Sequence, residues 1–408
     1  MGPIPDGYRA EDNMLIIGGR RADALVVEAG DTPLFVYDLA TIAAQVRRFR
    51  AAFPAIGLHY AVKANTYREL LDFIARKVDG LDVASAGEME QAIAASTAPS
   101  HISFAGPGKR DDELAAAIRA GVTLNLESEG EAERALAIGR DAAVAPRLAV
   151  RVNPDFEIKG SGMRMGGGAK PFGVDAARVP ELVRHLIASG AEWRGFHIFA
   201  GSQALDAEAL IEAQHATVAL AASLAEAVGT APPLVNLGGG FGIPYFHGER
   251  SLDVERVGAA LAETLAGRAA ILRDSGFAIE LGRWLVAESG VYLTRIVDRK
   301  VSHGRTFLVT DGGMHHQLAA SGNFGQVVRR NYPVAIANRF GAEPDEEVSI
   351  VGCLCTPLDR LGDDIMTPRA EVGDLVAVFL AGAYGLSASP QAFLGHPRAL
   401  EMAVGGAN

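Results

Sequence analysis

Eight short apolar runs, each followed by a helical pattern, constrain the fold of this chain more than any other feature of its sequence. They cover residues 58–62, 81–84, 102–105, 122–126, 148–152, 195–199, 234–237 and 278–281. Strands that alternate with helices predict a parallel sheet in an α/β fold. Eight such units over about 240 residues match a closed (β/α)8 barrel of the TIM type. A doubly wound open sheet gives the same alternation and stays open as a second alternative.

The segment 206–228 illustrates the predicted helices. Its apolar side chains recur at helical spacing and form one stripe. Asp206 can cap the first turn, and Gly229 can end the helix.

The alternation stops after Arg283. The runs 291–297, 306–310, 348–351 and 375–379 look like strands without helices of comparable length between them. They predict a β-rich domain of the barrel or sandwich type, which the strand-like segments 15–17 and 24–27 are expected to join. We therefore predict a barrel over residues 36–285 and a β-rich domain built from 1–35 and 286–408.

Composition narrows the class of protein. The 408 residues are 49% hydrophobic and carry a formal net charge of -11, which is unsuitable for a nucleic-acid surface. No run approaches the length of a membrane span, and the first residues lack the layout of a secretory signal. Cys353 and Cys355 are too close in sequence for an ordinary mutual disulfide, so we expect at least one free thiol and a cytoplasmic enzyme.

No metal site is expected. The sequence has no zinc-type cysteine cluster, and the adjacent His315 and His316 suit a metal ion poorly because neighbouring side chains diverge. We expect these two histidines to have a loop role.

Lys63 stands directly after the first apolar run, in Y-A-V-K-A-N (60–65). Its apolar neighbours are expected to hold the side chain in the barrel mouth, where a desolvated lysine can serve as a nucleophilic amine or Schiff-base partner. The alternative is a surface lysine with an extended stem.

Two further groups follow the last strands. Gly238, Gly239 and Gly240 can turn backbone N–H groups towards a phosphate, with Ser202 adding a hydroxyl, although a glycine triplet can also be a tight turn. Glu280 and Arg283 place a carboxylate and a guanidinium at the same rim, or they form a structural ion pair.

These motifs together resemble the fold-type III pyridoxal-phosphate decarboxylases, which include diaminopimelate and ornithine decarboxylases. The resemblance runs from about residue 32 to 400. The motifs that carry it are Y-A-V-K-A-N (60–65), D-V-A-S-A-G-E (82–88), G-S-Q (201–203), L-G-G-G-F-G (237–242), E-L-G-R (280–283), D-G-G-M (311–314), C-T-P-L-D (355–359) and G-A-Y-G (382–385). Each is short, but their order and spacing are specific.

The resemblance implies α-decarboxylation of an amino acid or amino-acid derivative with pyridoxal 5'-phosphate as cofactor. Lys63 would form the Schiff base, and Glu280 would face the pyridine nitrogen and keep the ring an electron sink. The residues that would hold the phosphate are Ser202, Gly238, Gly239, Gly240, Arg283 and Tyr384.

The resemblance also implies a homodimer with a shared active site. Cys355 would return a proton to Cα, Asp359 would face the substrate together with Tyr384, and Cys355 and Asp359 would come from the partner subunit. Cys353 is expected to be a core residue.

The chain departs from the family pattern at two places. Phe199 stands where many relatives have a histidine that stacks on the cofactor, and His197 lies two residues earlier, so we assign both to the cofactor site. Diaminopimelate decarboxylases usually read Cys-Glu-Ser-x-Asp and use that acid on the far amino group of the substrate, whereas this chain has Thr356 and Pro357. This loop therefore offers fewer anionic partners to a substrate with a distal ammonium, and Asp359 is the carboxylate that could still bind that ammonium.

The segments 161–173 and 329–333 resemble a branch of the family found in biosynthetic clusters, which includes the butirosin-pathway and exosortase-associated decarboxylases. The former acts on glutamate tethered to an acyl-carrier protein. Arg329 or Arg330 would then receive a distal carboxylate or the carrier's phosphopantetheine, unless the pair is a solvated edge. The glycine-rich residues 161–170 are expected to form a loop over the site.

Other functions stay open beside this one. They are a decarboxylase of the diaminopimelate, lysine or ornithine type that acts on a free substrate, an amino-acid racemase, an inactive decarboxylase-like regulator and an unrelated barrel hydrolase.

Overall fold

The computed structural model describes residues 1–157, 162–164, 166–324, 326 and 329–406, with the backbone alone for 163 and 164. Part of the predicted loop 161–170 therefore lies outside the described residues. Two compact units divide the chain. The barrel unit comprises Gln45–Ile243 and Ser251–Gly282, and the β-rich unit comprises Met1–Ala44, Pro244–Arg250 and Arg283–Asn408. The domain boundaries predicted from the sequence stay a prediction.

The strands are β1 (Arg9–Glu11), β2 (Met14–Ile17), β3 (Arg20–Arg21), β4 (Leu34–Asp38), β5 (Gly57–Ala61), β6 (Gly80–Val83), β7 (Ile102–Phe104), β8 (Thr123–Leu126), β9 (Arg147–Asn153), β10 (Met163–Arg164), β11 (Val174–Asp175), β12 (Glu192–Ile198), β13 (Gly201–Ser202), β14 (Leu234–Asn236), β15 (Gly276–Leu281), β16 (Gly290–Ser302), β17 (Arg305–Thr310), β18 (Val334–Ile336), β19 (Glu346–Val351), β20 (Arg360–Thr367), β21 (Leu375–Phe379) and β22 (Leu400–Val404). The α-helices are α1 (Ala22–Ala29), α2 (Leu39–Ala52), α3 (Arg68–Ala75), α4 (Ala86–Ala94), α5 (Asp111–Ala120), α6 (Glu129–Ala142), α7 (Val179–Ala188), α8 (Ala207–Val228), α9 (Val254–Ala266) and α10 (Arg283–Val286).

The barrel unit is a closed ring of parallel strands. Its order is β9-β12-β14-β15-β5-β6-β7-β8, and β8 pairs with β9 to complete the circle, with Leu124 opposite Leu148. All eight predicted strands are present, so the prediction of a (β/α)8 barrel is confirmed and the open doubly wound sheet is wrong. Carboxyl ends of parallel barrel strands meet at one rim, which places the residues after each strand near one another.

Helix α8 forms as its sequence predicts. The Asp206 side chain accepts a hydrogen bond from the Glu208 amide at 2.9 Å, and Gly229 ends the helix with a φ of 82°. Such an N-cap contributes about 1 kcal/mol to helix stability. Glycine adopts this left-handed backbone without the steric cost of a Cβ.

The β-rich unit is built around the long strand β16. It pairs antiparallel with β4, β17 and β21 in a sheet whose order is β18-β21-β16-β17-β19-β20, while β22 pairs with β4. The four strands predicted after Arg283 lie in β16, β17, β19 and β21, which confirms the β-rich domain.

One strand predicted near the N terminus is wrong. Residues 24–27 belong to helix α1, in which Ala22, Leu25 and Val26 are buried at helical spacing while Val27 is 80% exposed. The adjacent β-branched residues suggested a strand, but the buried set follows the helical period. The strand predicted at 15–17 lies in β2, within a separate sheet of order β1-β2-β3.

In the described ranges, no helix is both long and apolar enough to cross a membrane. Both cysteines are free thiols; Cys353 is half-buried and Cys355 is exposed.

Candidate active site

Lys63 lies just past the carboxyl end of β5, in the 3-10 turn Val62–Ala64. Val62 and Ala64 are buried, whereas Lys63 is exposed, so the expected desolvation is not seen in the single chain. The Nζ atom lies 5.9 Å from the centroid of the Phe199 ring, which follows β12. The barrel thus brings an accessible amine and an aromatic ring to one rim.

Glu280 and His197 form a buried pair inside the same barrel. His197 Nε2 lies 2.8 Å from Glu280 Oε2, and the two residues are 2% and 8% exposed. Because an ionised carboxylate only accepts hydrogen bonds, Nε2 carries the proton and donates it. Burial raises the pKa of Glu280, but the His197 charge and hydrogen bond, with Lys63 nearby, outweigh it and hold this pKa below its ordinary range. The carboxylate is therefore ionised.

His197 and Phe199 have different surroundings although both were assigned to the cofactor. His197 is committed to Glu280, and its Nδ1 has no hydrogen-bond partner among the described residues. Phe199 faces the Lys63 amine, with its ring centroid 6.5 Å from that of His197.

The glycine triplet forms a tight turn, and two of its backbone amides have no protein acceptor among the described residues. Gly238 and Gly240 have φ values of 68° and 90°, and a Cβ on Gly239 would lie 1.9 Å from the Glu280 carbonyl oxygen. Side chains are excluded on both grounds. Within the described residues, the Gly239 and Gly240 amides donate to no protein acceptor. Two such amides can bind an anion.

Ser202 lies half-buried in the short strand β13, next to Gln203. Gln203 braces the loop, because its Nε2 donates to the Ile243 carbonyl at 2.6 Å and its Oε1 accepts from the Ile243 amide at 3.3 Å. The G-S-Q motif therefore contributes a fixed backbone and one available hydroxyl.

Arg283 and Tyr384 lie together in the β-rich unit. The guanidinium carbon is 4.7 Å from the centre of the Tyr384 ring, and Nη1 donates to the Tyr245 hydroxyl at 2.8 Å. Tyr245 was not predicted as a partner. Close packing explains the glycine at the start of G-A-Y-G, because a Cβ on Gly382 would lie 1.8 Å from the Val286 carbonyl oxygen.

The C-T-P-L-D segment forms a turn between β19 and β20. Cys355 is exposed, while Asp359 is 2% exposed and accepts the Met314 and Leu354 amides at 2.6 and 2.8 Å. Burial raises the pKa of Asp359, and these two hydrogen bonds oppose that shift. Cys353, expected in the core, is half-buried with its Sγ 3.8 Å from His396 Nδ1, and burial raises its pKa to about 11. Cys353 is thus a poor thiolate at neutral pH.

Arg329 and Arg330 differ in how far they are engaged. Arg329 donates to the Asp363 and Asn331 side chains and to two backbone carbonyls. Arg330 is half exposed, stacks at 3.6 Å on the Phe246 ring and reaches Glu249 at 3.3 Å. Both arginines line a pocket of about 390 Å³ in the β-rich unit.

Sequence reasoning missed a buried group of four charges at the barrel rim. Lys109 pairs with Glu131 at 2.6 Å, and Arg151 pairs with Glu127 at 2.8 Å. Glu127 also accepts the Gly106 and Gly173 amides at 2.7 and 2.8 Å. The sequence contains a signal for two of these charges, because Glu127 directly follows one predicted strand and Arg151 interrupts the apolar run of another.

His315 and His316 are buried in the β-rich unit. His316 binds the Tyr292 hydroxyl at 3.1 Å and donates to the Pro397 carbonyl at 2.9 Å. Neither ring nitrogen of His315 has a hydrogen-bond partner in the part of the chain that the structure describes. Over those same residues, no group of three or more His, Cys, Asp or Glu side chains is arranged to hold a metal ion.

Comparisons with known proteins bear on both units. Residues 39–287 match the family model "Pyridoxal-dependent decarboxylase, pyridoxal binding domain". The chain is 37% identical over 381 residues to the L-glutamyl-[BtrI acyl-carrier protein] decarboxylase of Niallia circulans, covering 91% of this chain and 88% of that protein. It is 32% identical over 406 residues to the diaminopimelate decarboxylase of Archaeoglobus fulgidus, covering 98% and 94%.

Among solved structures, diaminopimelate decarboxylase of Helicobacter pylori complexed with L-lysine is similar, with a TM-score of 0.83 and 28% identity. The alignment covers 94% of each chain. The similarity therefore extends through the barrel and the β-rich unit alike.

Proposed function

Since this chain belongs to the pyridoxal-dependent decarboxylases and is an amino-acid decarboxylase that uses pyridoxal 5'-phosphate, we propose that Lys63 holds the cofactor and Cys355 of the partner subunit returns a proton to Cα. The observation that carries the proposal is the buried Glu280 carboxylate, whose Oε2 lies 2.8 Å from His197 Nε2 in the barrel that presents Lys63.

The residues of the barrel rim fit the cofactor. The amides of Gly239 and Gly240, which have no protein acceptor among the described residues, suit a phosphate dianion, and the family resemblance adds Ser202, Arg283 and Tyr384. The Gly238 amide was expected there too, but it donates to Asn236 Oδ1 at 2.9 Å and is therefore already engaged. Glu280 has Oε2 bound to His197 and leaves Oε1 for a ring N–H. Phe199 faces the Lys63 amine and is better placed than His197 to lie against a ring held there.

When bound, the cofactor supplies the electron sink that accepts the electron pair left on Cα as CO2 departs. Glu280 favours this by keeping a negative charge where a protonated ring nitrogen needs a partner. His197 holds that carboxylate in one orientation and in its ionised form. Lys63 anchors the reacting group through its amine, and Phe199 limits the positions that the group can take.

We propose that the substrate is an amino acid presented by an acyl-carrier protein. The support is the 37% identity to the decarboxylase of an L-glutamyl carrier protein. Arg330 is the better candidate for a distal carboxylate or a phosphopantetheine phosphate, because the donors of Arg329 are largely engaged by protein acceptors. A free substrate of the diaminopimelate type is the second candidate, supported by 32% identity over nearly the whole chain.

We further propose a cytoplasmic homodimer with a shared active site. Cys355 is exposed in the single chain, as a residue that serves another subunit would be. Two free thiols suit a reducing compartment.

The test compares Lys63→Ala with Lys77→Ala, a second lysine of the barrel unit whose Nζ lies 4.5 Å from the Phe73 ring. Purified wild type and Lys77→Ala should absorb at about 420 nm. Reduction with borohydride should attach the cofactor covalently to the peptide that contains Lys63. Lys63→Ala should lose this band and release CO2 at least about 1000-fold more slowly. An adduct on another lysine, or full turnover by Lys63→Ala, contradicts the proposal. Carrier-bound glutamate, free glutamate and diaminopimelate as substrates separate the two candidates.

A further inference from the structure

The Asp359 carboxylate is bound from two sides by the backbone of its own unit. Oδ1 accepts the Met314 amide at 2.6 Å, and Oδ2 accepts the Leu354 amide at 2.8 Å. Glycines pack against both oxygens, since a Cβ on Gly313 or Gly352 would lie 2.1 or 2.2 Å from them. With 2% of the residue exposed, the carboxylate occupies a cradle shaped for it.

This cradle determines the conformation of the turn that carries Cys355. The Gly352 amide donates to the Asp359 carbonyl at 3.0 Å, which joins the two ends of the turn. Inside it, the Thr356 amide donates to the Leu354 carbonyl at 2.8 Å. Leu354, held by Oδ2 of Asp359, is the residue next to Cys355. The position of the thiol therefore depends on the Asp359 side chain.

We infer that Asp359 is a positioning residue that holds Cys355 in place and is not a ligand of the substrate. An ammonium must come within about 2.7 to 2.9 Å of a carboxylate oxygen to form a charge-assisted hydrogen bond. A residue that is 2% exposed, with an amide on each oxygen and a glycine packed against each, offers no such approach.

The inference restricts the class of substrate. Apart from the buried Asp359, the turn 352–359 contains no acidic residue, and Cys355, Pro357 and Leu358 are its exposed side chains. The neighbouring Arg360 donates from Nε to the Pro357 carbonyl at 3.1 Å, and its Nη1 donates to Asp363 at 2.9 Å. Since the exposed side chains of the turn are a thiol and two apolar groups, a substrate whose distal end is neutral or anionic is favoured over one with a distal ammonium. This step rests on the proposed function, in which the turn faces the substrate.

The test compares Asp359→Asn with Asp374→Asn in the full-length holoenzyme. Asp374 is the control because it lies in the same unit and accepts a backbone amide, from Glu371 at 2.9 Å, together with Arg339 Nε at 3.1 Å. In Asp359→Asn, the new NH2 group faces an amide N–H, so the Met314 and Leu354 amides should exchange hydrogen at least about tenfold faster than in wild type. The rate at which iodoacetamide alkylates Cys355 should change in the same variant, and Asp374→Asn should leave both rates unchanged.

The kinetic arm separates positioning from binding. With any substrate that the wild type accepts, Asp359→Asn should lower kcat about tenfold or more while KM stays within about twofold, because a displaced Cys355 impairs a step after binding. A raised KM with kcat retained, or unchanged amide exchange at Leu354, overturns the inference. If Asp359→Asn does not fold, strong protection of the Leu354 amide in the wild type supports the inference, and rapid exchange overturns it. The proposed function fails separately, through the absence of a cofactor on Lys63.

Discussion

Glu280 and Asp359 are two buried carboxylates of this molecule, one in each unit, and their partners differ in kind. Glu280 is held by the His197 side chain through one oxygen, whereas Asp359 is held by two backbone amides. A side-chain partner can change its protonation state and leaves the second oxygen open to a ligand. Two amides cannot titrate, and they use both oxygens. Under the roles proposed for them, the kind of partner, and not burial, distinguishes a carboxylate that serves chemistry from one that serves local structure.

The largest expected effect tests the Glu280 side of this comparison. Glu280→Gln keeps the size of the side chain and removes the charge, so turnover should fall about 1000-fold, or ~4 kcal/mol, while the cofactor absorbance persists. The measurement is kcat together with an absorbance spectrum of the purified variant. Glu401→Gln is the control, because Glu401 accepts the Tyr37 hydroxyl at 2.8 Å in the β-rich unit and should have little influence on turnover. Near-wild-type kcat in Glu280→Gln would place Glu280 among the structural carboxylates.

The two carboxylates also differ in how far the sequence predicted them. Glu280 follows from position, because residues at the carboxyl ends of barrel strands meet at one rim, and eight apolar runs made the barrel predictable. The cradle of Asp359 depends on Gly313 and Gly352, which approach its oxygens only in the folded chain. Spacing along a loop does not determine whether a side chain turns inwards or outwards, so the sequence predicted a substrate-facing Asp359 and not its burial.

Strand pairing shows the same limit within the β-rich unit. Strand β22 pairs with β4, so that Leu400 lies opposite Leu34, and neither strand was predicted. Each is short, and what stabilises it is a partner at the other end of the chain. The error at 24–27 has a local cause instead, since Val26 and Val27 favour a strand by type while the buried positions follow a helix.

The buried His315, which has no hydrogen-bond partner among the described residues, extends the comparison to a third case. Burial and the neighbouring His316 and His396 lower the pKa of His315 to about 4. Since the unfolded chain takes up this proton near pH 6.5, the contribution of neutral His315 to stability is complete above that pH and is lost as the pH falls towards 4. Wild type should therefore lose up to about 3 kcal/mol more unfolding free energy than His315→Leu between pH 7 and pH 4.

Denaturant unfolding at a series of pH values measures this difference. His215→Leu is the control, because His215 is exposed on α8 and its variant should follow the wild-type curve. Parallel curves for wild type and His315→Leu would show that burial without a partner does not perturb this imidazole.

The smallest expected effect concerns the turn that Asp359 holds. Thr356 is half-buried next to Cys355, at the position where diaminopimelate decarboxylases usually carry the acid that meets the far amino group of the substrate. Thr356→Glu adds an outward carboxylate to a turn whose own acid is buried, so kcat/KM for lysine or diaminopimelate should rise about tenfold, or ~1.4 kcal/mol, relative to wild type. Thr356→Gln has the same length without the charge and should give no such gain. Equal values for the two variants would mean that the turn does not face the distal end of the substrate, and the restriction on substrate class would lose its basis. A gain in Thr356→Glu but not in Thr356→Gln would instead show that the residue after Cys355 selects the charge at the distal end of the substrate, a task separate from the one inferred for Asp359.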